Sequence, residues 1–178
     1  DGGNELVSNG TFSGGATGWP SASNNIVAHF EVDVTTAGEP YSVNLSRVMA
    51  LEENTEYTVV FKAKASVART MVAGLGLNQA PYTNVAESVS LTTEWKLFTL
   101  IQTTTKDGVG FGGANSRVLF DMGAELGAVS IDDVSVTVNS VDPVDPVDPV
   151  DPVDPVDPEP STAIELTEAF GNAIIGED

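Results

Sequence analysis

Six consecutive copies of Val-Asp-Pro, from Val141 to Pro158 and followed by Glu159-Pro160, set the limit on what this chain can fold into. Proline at every third residue favours polyproline II, which has three residues per turn and no internal hydrogen bonds. The Asp side chains then recur along one edge about every 9 Å, close to the Debye length at physiological salt, and their repulsion keeps the segment extended. Residues 141–160 are therefore read as a spacer, spanning roughly 60 Å at the rise of such a helix. Only residues 1–140 are left to build a core, which is enough for one ordinary domain. Such a spacer holds apart two modules that work at a distance. Residues 1–140 are thus expected to be an accessory module of a larger, extracellular protein.

Charge divides unevenly across this boundary. Residues 1–140 carry 15 acids and 7 bases, a net −8, and residues 141–178 carry 11 acids and no base. Without a basic patch to release counterions, nucleic acid is not an expected partner, and an anionic membrane surface is disfavoured for the same reason. No cysteine is present, which excludes a disulfide framework and a thiolate metal site. A monomer is expected. Beyond the spacer, residues 161–178 read either as the start of a following module or as a disordered tail, with Ala163–Phe170 able to form two helical turns.

Within 1–140, turn residues punctuate short runs rich in Val, Thr, Phe and Tyr, and no helical periodicity is sustained. Strands are expected at Asn4–Ser8, Ile26–Thr35, Tyr41–Leu51, Thr55–Ala65, Arg69–Leu77, Val85–Leu91, Trp95–Thr104, Arg117–Met122 and Ala128–Val138. The clearest alternation sets Tyr57, Val59, Phe61 and Ala63 on one face against Thr58, Lys62 and Lys64 on the other, the pattern of a sheet with one buried face. The expected fold class is all-β: a jelly-roll β-sandwich of two antiparallel sheets.

The run Arg69–Leu77 carries the first functional signal. Met71, Ala73, Leu75 and Leu77 form a core face, while Val72, Gly74, Gly76 and Asn78 lie on the other. Two glycines on one strand face mark either a bare backbone floor for a ligand or tight packing within the sandwich. Asn78, Gln79 and Tyr82 follow directly. Amide side chains and an aromatic ring beside a smooth floor suit a sugar, whose C–H face packs on the ring while its hydroxyls bond to Asn, Gln and Arg.

Further motifs follow in order: Asn9-Gly10-Thr11-Phe12 with Gly18-Trp19, then Leu51-Glu52-Glu53-Asn54-Thr55-Glu56-Tyr57, then Asn78-Gln79-Ala80-Pro81-Tyr82, then Arg117-Val118-Leu119-Phe120-Asp121-Met122-Gly123, and last Ile131-Asp132-Asp133-Val134. Together, over about residues 4–138, these resemble a family 4 carbohydrate-binding module, in the wider grouping with families 9 and 22, as found appended to bacterial β-glucanases. The resemblance implies a β-sandwich with a cleft along its concave face, holding a single soluble glycan chain. It places the cleft on Arg47, Val72, Asn78, Tyr82, Arg117 and Asp121, and the amide of Gln79 is added to these candidates on its chemistry. Where some members carry a second aromatic, this chain has Ala22, so one stacking ring is expected to be missing. Trp19 reads as core, His29 as an ordinary strand residue, and Trp95 as packing on the sandwich edge. The resemblance also implies a structural calcium site, using the Thr11 carbonyl and the Asp132 carboxylate, weakened by Ser13 where many members have an acid. Otherwise Asp132 and Asp133 are a pair of exposed acids.

The function implied is non-catalytic binding of a polysaccharide, with β-1,3-glucan (laminarin) favoured, by a secreted protein whose catalytic module follows the spacer. Adjacent acids on a strand point to opposite faces and do not make a glycosidase pair, and a single histidine offers no nucleophile relay. An adhesive or structural cell-surface sandwich is the alternative.

Overall fold

The computed structural model describes residues 4–22, 26, 28–105 and 110–139; the Val-Asp-Pro spacer and residues 161–178 lie outside the described residues. Eight strands form: β1 (Phe30–Val34), β2 (Asn44–Met49), β3 (Glu56–Ala65), β4 (Arg69–Leu77), β5 (Glu87–Leu91), β6 (Lys96–Thr103), β7 (Ser116–Asp121) and β8 (Gly127–Val138). They pair into two antiparallel four-stranded sheets, one in the order β1-β8-β3-β6 and the other β2-β7-β4-β5. This is the expected β-sandwich.

The alternation read from the sequence is the alternation observed. Tyr57, Val59, Phe61 and Ala63 of β3 are buried, and Lys62 between them is exposed. Phe61 joins the two sheets. Its ring stacks on Phe98 of its own sheet at 5.0 Å and meets the edge of Phe120 from the other, also at 5.0 Å. Such ring pairs contribute about 0.5–1.5 kcal/mol each beyond the area they bury. At one end Phe12 packs on Trp19 and Phe30, with centroids 5.1 and 6.4 Å away.

Several strands are shorter than expected, Ile26–Thr35 among them, which is strand only over Phe30–Val34, and two have a visible reason. Around Asn4–Ser8 there is only a bridge between Glu5 and Thr137. The Glu5 carboxylate there accepts from the N–H groups of Val7 and Val136, taking positions a strand ladder would use. In Tyr41–Leu51, Pro40 opens a 3-10 turn through Ser42, and the strand begins only at Asn44.

The two glycines of β4 are packed, not bare. A Cβ on Gly76 would lie 2.8 Å from Asn84 Cβ and 2.9 Å from Leu119 Cδ2. Gly74, at φ +147°, would place a Cβ 2.4 Å from Gln102 Oε1 and 2.7 Å from Ala86 Cα. The glycines let the returning segment 83–86 lie close along β4, where Leu77 N–H donates to Thr83 O (2.8 Å) and Val85 N–H to Leu75 O (2.9 Å). Of the two meanings the sequence left open, packing is the one realised. Gln102 closes the remaining gap by accepting from Leu75 N–H at 2.9 Å in a buried setting. Gln102→Leu would leave that donor unsatisfied, and a loss of about 1–3 kcal/mol is expected in urea unfolding.

Candidate functional site

The outward face of the second sheet is organised by β7, whose Val118 and Phe120 point to the core and whose Arg117, Leu119 and Asp121 point away. Strands β2 and β4 flank it. Asn44 and Val72 stand opposite Asp121 on its two sides, and Val48 and Gly76 stand opposite Arg117. Four residues of strand separate Arg117 from Asp121, about 14 Å at the usual rise, which suits a short run of sugar rings better than one.

A hollow of 640 Å³ opens over this face, lined by Tyr41, Asn44, Tyr82, Asn84, Arg117, Leu119 and Asp121. Its chemistry is mixed in the way sugar recognition requires. Tyr82 and Tyr41 are 57% and 67% exposed, large fractions for rings of this size. Tyr41 precedes β2 and lies toward the Asp121 end. Tyr82 follows β4 and lies toward the Arg117 end, so the two rings stand at diagonal corners. Asn44 Nδ2 donates to Asp121 Oδ1, which fixes both side chains. Arg117 Nε, though buried, finds no acceptor among the described residues. A buried donor left unpaired is costly, and an incoming hydroxyl oxygen would relieve it. Tyr82 itself takes φ +58°, a region sparsely used by residues other than glycine; such strain gathers at ligand-binding positions.

Of the expected cleft residues, the structure brings Tyr82, Arg117 and Asp121 together. Val72 lies on the same face beside Asp121, outside the hollow's lining. Asn78 and Gln79 form the turn that delivers Tyr82: Asn78 N–H donates to Asn115 O at 2.7 Å, and Gln79 O accepts from Tyr82 N–H at 2.8 Å. Both side chains are exposed, and neither lines the hollow. Arg47 is not brought to this group at all. It shares strand parity with Leu45 and Met49, so it faces away from the cleft. Its guanidinium lies 5.9 Å from the Trp19 ring centroid, and Nη2 donates to Ser8 Oγ at 2.6 Å. Gly18, at φ +80°, makes room, since a Cβ there would sit 1.7 Å from Nη1. Arg47→Met is accordingly expected to leave glycan affinity within about twofold, the size of a change remote from a site, as read by calorimetric titration.

Sequence reasoning missed Tyr41, Asn44, Asn84 and Leu119. Asn44 joins the site only because β2 pairs with β7 and sets it opposite Asp121. Ala22, the position of the absent ring, is fully buried in a 3-10 turn; the cleft's second ring is Tyr41 instead. Trp19 is core, as expected.

The residues on which the resemblance places calcium line different hollows. Thr11 lines one with Glu5, Asn9 and Asp133. Asp132 lines another with His29, Lys62 and Trp95. The Asp133 carboxylate is held by Lys62 Nζ at 2.7 Å, and that hydrogen bond and charge raise the Lys62 pKa above the usual lysine value. Among the described residues, no group of three or more Asp, Glu or His side chains is arranged to hold a metal ion. The Thr11 carbonyl and the Asp132 carboxylate supply only part of the roughly six to eight oxygens that calcium takes.

Fold and face together define a sugar-binding β-sandwich module. The family model of the carbohydrate binding domain CBM_4_9 matches residues 4–110. A solved family 4 module ("CBM4 structure and function") is 25% identical, over 64% of this chain and 73% of that one, with a TM-score of 0.56. The second N-terminal cellulose-binding domain of Cellulomonas fimi β-1,4-glucanase C is 23% identical over 79% and 97% of the two chains, with a TM-score of 0.63. The CBM22-1 xylan-binding domain from Paenibacillus barcinonensis Xyn10C is 12% identical over 78% and 96%, with a TM-score of 0.53. These last two share the fold. No curated protein matches the chain. The chain belongs to the CBM_4_9 family: it is a non-catalytic carbohydrate-binding module, and its partner is a polysaccharide.

Proposed function

We propose that the cleft on the second sheet holds a single β-glucan chain, β-1,3-linked in preference to β-1,4-linked, and that the module targets an appended, secreted glycoside hydrolase to that chain. The observation that carries the reading is the pair of exposed rings, Tyr41 and Tyr82, at the two ends of a polar row formed by Asp121, Asn44 and Arg117. The β-glucan class is supported by the cellulose-binding domain of a β-1,4-glucanase among the similar structures. The β-1,3 preference rests on the rings' placement. They sit on different loops at diagonal corners and form no flat row, which favours a curved chain over an extended ribbon. The Val-Asp-Pro segment supports a spaced catalytic partner outside the cell, since an anchored module raises the effective concentration of an enzyme at the chain it cuts.

The test is calorimetric titration of the 178-residue chain with laminari-, cello- and xylo-oligosaccharides, calcium present. Tightest binding to the laminari series is expected. Tightest binding to cello- or xylo-oligosaccharides would reassign the linkage, and silence in all three would refute the β-glucan reading.

A further inference from the structure

We propose that the outward face of the first sheet carries a second sugar site, built on Trp95, for a sugar bearing an anionic group, either a uronate carboxylate or a sulfate ester. A hollow of 510 Å³ opens there, bordered by His29, Lys62, Trp95, Lys96, Leu97 and Asp132. The cleft lies on the second sheet, so the two sites occupy opposite faces of the sandwich. The proposal is independent of the linkage assigned to the cleft.

Strand register builds the site. Lys62 stands opposite Asp132 on β8 and Leu97 on β6. Ala63 pairs with Lys96, so the next row outward brings Lys64 beside Trp95. Trp95 is 40% exposed, yet its ring is fixed. The His29 ring meets it edge-on at 5.1 Å and 87°, and the Lys64 ammonium lies 5.1 Å from its centroid. A platform already held in place loses little freedom when a sugar stacks on it.

The charge is more informative. In a domain with more than twice as many acids as bases, Lys62 and Lys64 stand together on this outward face. Asp133 takes Lys62. Lys64 leans on the ring of Trp95 and forms no ion pair with a carboxylate among the described residues, whereas the Lys96 ammonium lies over Phe98, on the other face of β6. The Lys64 ammonium beside an exposed indole supplies both things an acidic sugar needs: a face to stack on, and a donor for charge-assisted hydrogen bonds to its anion. Asp132 borders the other side, and Glu31 holds His29 at 3.6 Å. These acids repel an anion, so the anionic group sits toward Lys64, and Asp132 faces hydroxyls.

The experiment titrates the whole chain with trigalacturonate, with a sulfated κ-carrageenan oligosaccharide and with laminaritetraose. We expect one of the two anionic probes to bind, and which one names the anion. That binding should persist in Tyr82→Ala, fall at least about tenfold in Trp95→Ala, fall similarly in Lys64→Gln, and weaken as salt rises. The lysine variant carries the test should Trp95→Ala fold poorly. Binding of neither anionic probe, binding lost in Tyr82→Ala, or binding indifferent to Lys64→Gln would overturn the proposal. A laminaritetraose response that depends on Trp95 would overturn its anionic class.

Discussion

Tyr82→Ala is expected to weaken oligosaccharide binding about tenfold or more, and Tyr41→Ala by a similar factor, because a stacked ring contributes about 1–3 kcal/mol. The fold should not suffer. Both rings are more than half exposed and take no part in the core, so each variant should melt within a few degrees of the parent. The rings sit at opposite ends of the hollow and touch different parts of a bound chain, so their effects should multiply in the double variant. Ligand length provides a further check. A disaccharide reaching only one ring should feel one substitution and ignore the other, and a longer oligosaccharide should feel both. Equal loss of the disaccharide in both variants would mean that the rings share one subsite, and the diagonal arrangement inferred from β2 and β4 would not describe the bound state.

The fold was legible wherever apolar alternation recorded burial. In β3 the period of two named the inward face residue by residue, and Arg117 and Asp121 could be placed on one face of β7 by the same counting. The cleft was legible where a single strand or turn carried it, as with Tyr82. It was not legible where it depended on which strands become neighbours. Asn44 and Asp121 lie far apart in sequence and meet only because β2 pairs with β7, and Tyr41 reads as one more exposed residue until the sheet order puts it at the cleft's end. Arg47 shows the converse. Its residue type suits sugar hydroxyls, but its parity with Leu45 and Met49 points it beneath the N-terminal loop, and parity decides. The glycines of β4 were ambiguous in a third way: a missing Cβ signals close approach without saying what approaches, and here it is the chain's own segment 83–86.

The largest effect on stability is expected from Trp19. Its side chain is fully buried, with Phe12 on one side at 5.1 Å and the Arg47 guanidinium at 5.9 Å. Its Nε1–H donates to Asn9 O at 3.0 Å, tying down the loop that Asn9 itself organises through Gly14, Gly15 and Thr17. Trp19→Ala removes the ring, the hydrogen bond and the surface on which Arg47 rests, and should cost about 3–5 kcal/mol. Against a typical total of about 5–15 kcal/mol, that is enough to lower the urea midpoint steeply. Trp19→Phe keeps a ring against Phe12 and loses chiefly the hydrogen bond to Asn9, so its cost should be nearer 1–2 kcal/mol. Because the ring serves the core and not the cleft, Trp19→Phe should retain the parent's glycan affinity. The reverse pattern, native stability with lost binding, would put Trp19 against the sugar and require a different course for residues 8–19.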